Sequence, residues 1–407
     1  MSTSYRKALV WSLVAAAFIG PGTVTTAARA GTEGGWRYAA YVALAAVAGF
    51  LLMEMAARVR LVSDQPLGRV LGPGARWLSV LLFAAVVLGC AAYQAGNLLG
   101  AYGGLQLLWP AGRGWVLALG GLALAVLWRG RPAAIARALA LVVAAMGILF
   151  VVAALWTVTS GQQLTGAGVV TTATVVGLVG TTIVPYNFFL ASALGRGQSL
   201  PDMRTGLTGS FVVGGLITLS IVLVGSMAPA FTTFTDLART LVQGLGGWSK
   251  GVLGFGLFAA GFSSAVTAPL AAGLAGRELV GTDRPRRWGA RGRAFRLVWG
   301  GVLLVGLTVA WFGVEIIPVI LAAQVVNGLL LPLVAAVVLT LANDRRVVRE
   351  HVNAGWQNVA GLLVAAFLTH KSCGVLLPEA VAPLGAWLLS VVYAAGLAGA
   401  MYRVRRQ

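Results

Sequence analysis

The stretch that decides the fold interrupts the first apolar segment of the chain and reads Phe18-Ile19-Gly20-Pro21-Gly22-Thr23-Val24-Thr25-Thr26. A second interruption, in the sixth apolar segment, reads Gly180-Thr181-Thr182-Ile183-Val184-Pro185-Tyr186-Asn187-Phe188. Proline removes a backbone donor, and glycine lets the chain leave helical geometry. In a bilayer the freed backbone groups need partners, so such breaks are tolerated where they line a cavity. The two stretches therefore predict a pair of broken helices around a binding site.

The rest of the chain has the composition of a membrane protein. Of its 407 residues, 58% are hydrophobic and 10% are charged, whereas soluble proteins average about 25% charged. The mean hydropathy is +0.87, and apolar runs recur from end to end. These values predict an all-α polytopic protein of the cell membrane, whose partner is the lipid bilayer. They exclude a soluble enzyme, a nucleic-acid binder and a disordered scaffold.

Basic residues indicate how the chain crosses the membrane. Windows of about 20 residues predict twelve spans. We place them at 9–28, 36–57, 77–100, 115–128, 135–158, 168–194, 208–229, 249–279, 296–312, 316–342, 354–370 and 383–403. With a cytoplasmic N-terminus, all but six of the 30 Lys and Arg residues lie inside, the six being Arg29, Arg37, Arg113, Arg239, Lys250 and Lys371. The positive-inside rule thus predicts that both termini are cytoplasmic. The net charge of +19 is explained by basic loops that face the anionic inner leaflet, and not by nucleic-acid binding.

The two breaks divide a single transmembrane domain, residues 1–407, into repeats. Residues 8–158 form a block of five spans, the first of which begins inside. Residues 168–342 form a second block of five spans, the first of which begins outside, so the two blocks have inverted topology. Residues 354–404 add two C-terminal helices. Inverted repeats whose broken helices meet at the bilayer midplane are typical of secondary transporters. The candidate residues for binding a small solute or a metal ion are Gly20, Pro21, Gly22, Thr23, Thr181, Val184, Pro185, Tyr186 and Asn187.

Four motifs resemble one family. Gly20-Pro21-Gly22-Thr23 resembles the Asp-Pro-Gly-Asn motif of the Nramp divalent-metal transporters, and Val184-Pro185-Tyr186-Asn187 resembles their Met-Pro-His-Asn motif. Gly261-Phe262-Ser263-Ser264-Ala265-Val266-Thr267 resembles the eighth helix of that family, and Gln324-Val325-Val326 with Pro332 resembles its tenth. The resemblance implies a LeuT-type fold, alternating access, and uptake of Mn or Fe coupled to protons. It adds Gln324 and the backbone carbonyl of Thr181 to the possible oxygen ligands.

This chain departs from the family at the residues that bind metal. Gly20 stands where the family has its metal-binding Asp, and Val184 where it has Met. Gln94 and Asn97 stand where the family carries acidic residues of a proton pathway. Transition metals favour nitrogen or sulfur ligands, and divalent ions need negative or strongly dipolar ones. We therefore expect a weakly bound, hydrated, Mg-like ion in preference to chelated Mn or Fe, and no proton coupling.

Two other functions stay open on the residues alone. The glycines and threonines after Gly20 expose amides at a half-helix N-terminus, which suits the carboxylate of an amino acid or another small zwitterionic or anionic solute, with Tyr186 closing over it. A non-transporting sensor that kept the fold is the other alternative. No paired carboxylates or nucleophile with a base fall in a span, so we expect neither an enzyme nor a cofactor. The oligomeric state is not indicated.

The remaining ionisable residues give little sign of a site. Glu54 precedes Arg58 by four residues and is expected to pair with it, while Glu315 begins the tenth span. The other acids are expected in loops. Cys90 and Cys373 match no metal or redox spacing and are expected to behave as small apolar residues.

Overall fold

The computed structural model describes residues 19–110, 112–129, 132–161, 168–188, 198–312 and 315–406. Helices dominate these residues and no strand occurs among them, which confirms the all-α prediction. Twelve helices overlap the twelve predicted spans, and a further helix, Phe234–Leu245, lies between the seventh and the eighth of them. The twelve are α1 (Pro21–Gly34), α2 (Ala39–Ser63), α3 (Arg76–Leu108), α4 (Gly114–Arg129), α5 (Pro132–Thr159), α6 (Thr172–Thr182), α7 (Leu200–Gly225), α8 (Trp248–Leu279), α9 (Arg293–Trp311), α10 (Ile316–Leu341), α11 (Gly355–Leu376) and α12 (Ala382–Arg406). Residues 9–18 of the predicted first span lie outside the described residues.

Helix lengths separate full spans from partial ones. In the described part of the chain, nine helical stretches are long and apolar enough to cross a bilayer, and one of them, Pro21–Ser63, contains both α1 and α2. The helix α4 has 16 residues and α6 has 11. At 1.5 Å per residue α6 extends about 17 Å, roughly half of the hydrocarbon core. The sixth span is therefore broken, as the sequence predicts.

Glycines bring α3 and α8 together at the centre of the molecule. A Cβ added at Gly104 of α3 would lie 2.5 Å from the backbone nitrogen of Phe258 in α8. A Cβ added at Gly261 of α8 would lie 2.7 Å from the carbonyl oxygen of Asn97 in α3. Small residues permit this close approach, which in lipid supplies the van der Waals contact that holds helices together. The pair forms a wall, which we call the central wall, and the start of α1 packs against it.

Polar contacts sort the helix ends onto two faces. Arg60 at the end of α2 lies 3.6 Å from Glu278 at the end of α8, and we call this side the arginine face. On the other side, which we call the glutamate face, Thr174 of α6 donates to Glu33 of α1 across 2.7 Å. In the predicted topology α2 and α8 end on the same side, and α1 ends where α6 begins. The contacts agree with that alternation, while the repeat boundaries stay a prediction.

Two of the acids are not placed as expected. Glu54 pairs with Arg58, as predicted, and also with Arg204 of α7 at 2.9 Å. However, Glu278 is 2% exposed within α8, and Glu33 lies in the last turn of α1. The expectation that these two acids occupy loops is wrong, because each is held inside the protein by partners from another helix.

Candidate functional site

The first break leaves the start of α1 without a side-chain cap. Gly20 is extended (φ −103°, ψ 176°) and precedes the first helical residue, Pro21. Its carbonyl accepts the amide of Val24 at 3.2 Å, but glycine has no side chain with which to cap the first turn. A helix start leaves amide groups without intrahelical partners. Their dipoles therefore point out of the buried end of α1.

The second break leaves carbonyl groups at the end of α6. Ile183 leaves helical geometry (φ −108°, ψ 81°), and the chain turns helical again at Pro185. Pro185 stands four residues after Thr181 and has no N–H, so it cannot bond the Thr181 carbonyl as a helix would require. The Thr181 carbonyl is thus available as an oxygen ligand.

The two breaks meet through a pair of hydroxyl groups. The Oγ1 atoms of Thr23 in α1 and Thr181 in α6 lie 3.0 Å apart, and both residues are 3% exposed. A Cβ added at Gly20 would lie 3.7 Å from Oγ of Ser264, so the start of α1 also faces α8. The start of α1 and the end of α6 therefore form one buried polar site against the central wall, with the predicted residues Gly20, Thr23 and Thr181 in it.

Gln324 of α10 closes another side of the site. A Cβ added at Gly22 would overlap Nε2 of Gln324 and lie 2.6 Å from its Cδ, so the side-chain amide rests directly on the α1 backbone. Oε1 of Gln324 is in hydrogen-bond contact with the hydroxyl of Tyr93, which also lies 3.1 Å from the carbonyl oxygen of Gly180. The single hydroxyl proton of Tyr93 is shared between the Gln324 and Gly180 oxygens. The structure therefore brings Gln324, one of the candidate residues, against the start of α1.

Tyr93 is a site residue that the sequence did not single out. It joins α3 to both α6 and α10, and its ring packs edge-on against Tyr186 with centroids 5.9 Å apart. Tyr186 is 3% exposed and was predicted to close over a solute. The available signal was a tyrosine inside an apolar span, since a buried phenol usually needs a hydrogen-bond partner.

The segment after the second break supplies one more polar group. Asn187 is 2% exposed, and neither atom of its amide finds a partner among the described residues. Buried polar atoms are usually hydrogen-bonded, so this amide is available to a ligand or to water. Val184 is also buried and contributes only aliphatic surface.

Gln94 and Asn327 lie near the site but face other helices. Nε2 of Gln94 donates to the Ala265 carbonyl of α8 at 2.9 Å, and a Cβ added at Gly306 of α9 would lie 2.5 Å from its Cβ. Asn327, which the sequence also did not indicate, is fully buried one turn after Gln324 and packs against Gly89 of α3. The side-chain amide of Gln94 thus contacts α8, and its aliphatic part packs on α9, rather than on the Thr23–Thr181 pair.

The chemistry of the site is neutral and rich in oxygen. Its members offer hydroxyl groups, amides and freed backbone groups, and none of them carries a carboxylate, imidazole or thioether. Across the part of the chain that the structure describes, no group of three His, Cys, Asp or Glu side chains is placed to hold a metal ion. Such a site can coordinate a cation weakly through neutral oxygens or bind a small polar solute.

Comparisons with known proteins identify the family and the fold. The family model for natural resistance-associated macrophage protein-like proteins, Nramp, matches residues 12–377. The divalent metal cation transporter MntH of Caldanaerobacter subterraneus subsp. tengcongensis is 22% identical over 209 residues, 47% of this chain. The match spans about half, 48%, of that curated relative's length.

Two solved structures share the whole fold. A crystal structure of the Eremococcus coleocola manganese transporter, bound to an aromatic bis-isothiourea substituted compound, matches with a TM-score of 0.70 at 17% identity, covering 99% of this chain and 95% of that one. Mhp1, a nucleobase-cation-symport-1 family transporter, matches with a TM-score of 0.56 at 14% identity over 98% and 95% of the two chains. The LeuT-type fold is therefore confirmed, and the chain is a multi-pass membrane protein that belongs to the Nramp family.

Proposed function

We propose that this protein is a secondary transporter that works by alternating access and moves a divalent cation which keeps part of its hydration shell. The observation that carries the proposal is the neutral oxygen site where α1 and α6 break, built on the Thr23–Thr181 hydroxyl pair. The cation is the substrate of this site and not a resident cofactor. The proposal extends to this chain the metal transport for which the MntH relative is named.

The ligand chemistry favours a hydrated hard cation. Mg²⁺ takes oxygen ligands and gives up its water reluctantly, whereas Mn²⁺ and Fe²⁺ gain from nitrogen and sulfur donors. Thr23, Thr181, Asn187 and Gln324 supply oxygens only as hydroxyl, amide or backbone groups. No anionic ligand offsets the cost of removing water from the ion. These residues therefore favour weak binding of an ion that keeps part of its hydration shell.

The same residues support transport without proton coupling. A proton carried through the site needs a group there that changes its charge, and neither the breaks nor Gln94 and Asn97 provide one. The fully buried acids, Glu54 and Glu278, are ion-paired with arginines at the arginine face. We therefore propose that the cation gradient itself drives the flux.

A small zwitterionic or anionic solute, such as an amino acid, is a second candidate. The observation in its favour is the uncapped start of α1, since a buried helix N-terminus is a ready partner for a carboxylate. Solute flux without cation flux would establish this candidate. A folded protein that carries neither would support the sensor.

We also propose a cell-membrane location with both termini in the cytoplasm, which makes the arginine face cytoplasmic. The distribution of basic residues supports this orientation.

The test is flux into proteoliposomes that hold the purified full-length chain. Mg²⁺, Mn²⁺ and a panel of amino acids are each measured with and without a proton gradient. We expect Mg²⁺ flux that saturates and does not respond to the proton gradient. Proton-driven Mn²⁺ uptake without Mg²⁺ uptake would contradict the proposal.

A matched pair of variants connects the flux to the site. Thr181→Val removes a hydroxyl that faces Thr23 and should lower the apparent Mg²⁺ affinity about tenfold, the effect of about 1.4 kcal/mol. Thr182→Val is the control, because the Thr182 hydroxyl donates to the Leu178 carbonyl of its own helix at 2.8 Å. Equal effects of the two variants would argue against the site.

A further inference from the structure

A polar cavity opens on the arginine face, away from the candidate transport site. It has a volume of about 330 Å³ and lies between the start of α3 and the end of α8. Arg69, Arg76, Ser79, Thr282 and Asp283 are among the residues that line it, and we call it the Arg76 cavity. None of these residues has a role in the proposed transport, so the inference below does not depend on that function.

The cavity holds a hydroxyl group that the protein leaves unused. Ser79 is 2% exposed, and its Oγ finds no hydrogen-bond partner among the described residues. A buried polar group without a partner is destabilising, so such groups call for a ligand or a water molecule. Ser79 lies in the first turn of α3, which has 33 residues and whose N-cap, Ala75, has no side chain that can cap it. The positive end of a long helix dipole therefore points at the same cavity.

Two arginines line the same cavity as the Ser79 hydroxyl. Arg76 is the first residue of α3, and Arg69 lies on the short helix before it, with Nη2 3.5 Å from the carbonyl oxygen of Thr282. Asp283 also borders the cavity, where its Oδ1 accepts from the Thr282 hydroxyl at 3.4 Å. The two arginines outnumber this single carboxylate, which leaves the cavity positive. Guanidinium groups bind phosphate through paired hydrogen bonds.

The surroundings place the cavity at the level of lipid headgroups. Trp77 is 67% exposed and Val80 is 50% exposed, both on the turn of α3 that borders the cavity. Exposed tryptophans mark the membrane–water interface, and the cytoplasmic leaflet carries anionic lipid. An acyl chain can lie along this apolar surface while its headgroup occupies the pocket.

We propose that the Arg76 cavity binds the phosphate group of an anionic lipid from the predicted cytoplasmic leaflet. Arg69 and Arg76 hold the phosphate oxygens, the Ser79 hydroxyl donates to one of them, and the start of α3 contributes its amide dipoles. A free phosphate offers the same chemistry without acyl chains, and the experiment separates the two sources.

The experiment uses the full-length protein in nanodiscs of phosphatidylcholine that contain increasing fractions of phosphatidylglycerol. Thermal unfolding is recorded at each fraction, with a parallel series in which inorganic phosphate is added to pure phosphatidylcholine discs. We expect phosphatidylglycerol to raise the melting temperature in a saturable way, and inorganic phosphate to have little effect. Stabilisation by inorganic phosphate alone would overturn the lipid assignment.

Three variants make the result specific. Arg76→Gln and Ser79→Ala should each raise the fraction of phosphatidylglycerol needed for half of the shift, by about tenfold and about threefold. Ser79→Ala separates binding from folding, because removing an unpartnered buried hydroxyl should leave the lipid-free protein at least as stable. Arg345→Gln, an exposed arginine outside the lining, controls for general attraction to the leaflet. If it weakens the shift as much as Arg76→Gln does, or if Ser79→Ala does not change it, the proposal fails.

Discussion

Replacing Gly22 by alanine tests the packing at the centre of the candidate site. The added Cβ would overlap Nε2 of Gln324 and lie 2.6 Å from its Cδ, so the amide or the start of α1 must move. Overpacking of this kind costs about 1–3 kcal/mol. If the amide swings away, its hydrogen bond with Tyr93 is lost, which adds about 1 kcal/mol. We expect a total loss of about 2–4 kcal/mol in the free energy of unfolding, with loss of transport.

Gly20→Ala is the matched control, two residues earlier in the same motif. Its Cβ would lie 3.7 Å from Oγ of Ser264, an ordinary contact, and at an N-cap we expect a cost of no more than about 1 kcal/mol. Denaturing-detergent titration of the purified proteins measures both changes, and proteoliposome flux measures transport.

A double variant shows whether the clash with Gln324 is the cause. Gly22→Ala combined with Gln324→Ala removes the clashing amide, so the two changes should be coupled by about 1–3 kcal/mol in the favourable direction. Gly22→Ala with wild-type stability, or equal destabilisation with and without the glutamine, would refute this account of the site.

Three further changes test other contacts. Gly20→Asp with Val184→Met should tighten Mn²⁺ binding at least about tenfold, because the pair restores a carboxylate and a thioether; calorimetry that shows no gain would mean that the motifs are misaligned. Glu278→Ala should cost up to about 3–5 kcal/mol, because buried Arg60 loses its buried partner and keeps the exposed Asp64 at 3.4 Å, and adding Arg60→Met should recover most of this loss in detergent titrations. Asp236 lies in the first turn of the helix Phe234–Leu245. Partial burial would raise its pKa, but hydrogen bonds from Thr232 and Thr233 outweigh this effect and hold the pKa of Asp236 below its usual value. The carboxylate thus stabilises its helix above the ordinary pKa of about 4, and this contribution disappears as the pH falls through the lower folded value; hydrogen exchange there should rise on acidification in the wild type but not in Asp236→Asn.

The parts of the site that follow from local backbone chemistry were predictable. Pro185 denies an amide to the carbonyl four residues back wherever it stands in a helix, and Gly20 with Pro21 stops a helix without knowledge of its neighbours. The positions of both breaks follow from these residues, and their meeting through Thr23 and Thr181 is what the predicted inverted repeat leads us to expect.

The contacts between distant helices were not predictable in the same way. Tyr93 reads as one aromatic residue in an apolar span, and only the packed structure brings its hydroxyl to Gln324, 231 positions later. Arg60 and Glu278 likewise each look like polar residues at a helix end. Which residues pair depends on which helix ends lie on the same face and on how far their side chains extend. The hydropathy of a sequence shows neither of these.

The distribution of the acids bears on how the carrier moves. Glu33 joins α1 to α6 on the glutamate face, and Glu54 joins α2 to α7 on the arginine face. In the predicted inverted repeat α1 corresponds to α6 and α2 to α7, so half-buried Glu33 and buried Glu54 each join a helix to its counterpart. We infer that these four helices move as one unit. Of the ion pairs in the described part of the chain, Arg60–Glu278 is the one that connects this unit to α8 of the central wall.

Opening the arginine face by moving that unit away from α8 must therefore break a buried ion pair, which is costly in a low-dielectric setting. In the proposed alternating-access cycle we infer that Glu278 acts on the conformational equilibrium, while the candidate site stays neutral. We infer that neutralising Arg60 and Glu278 together raises the population open on the arginine face without changing the intrinsic affinity of the site. Phe188 lines a cavity together with Arg60 and Glu278. Labelling of a cysteine placed at position 188 measures the first quantity and calorimetry the second, and a change in affinity alone would contradict the inference.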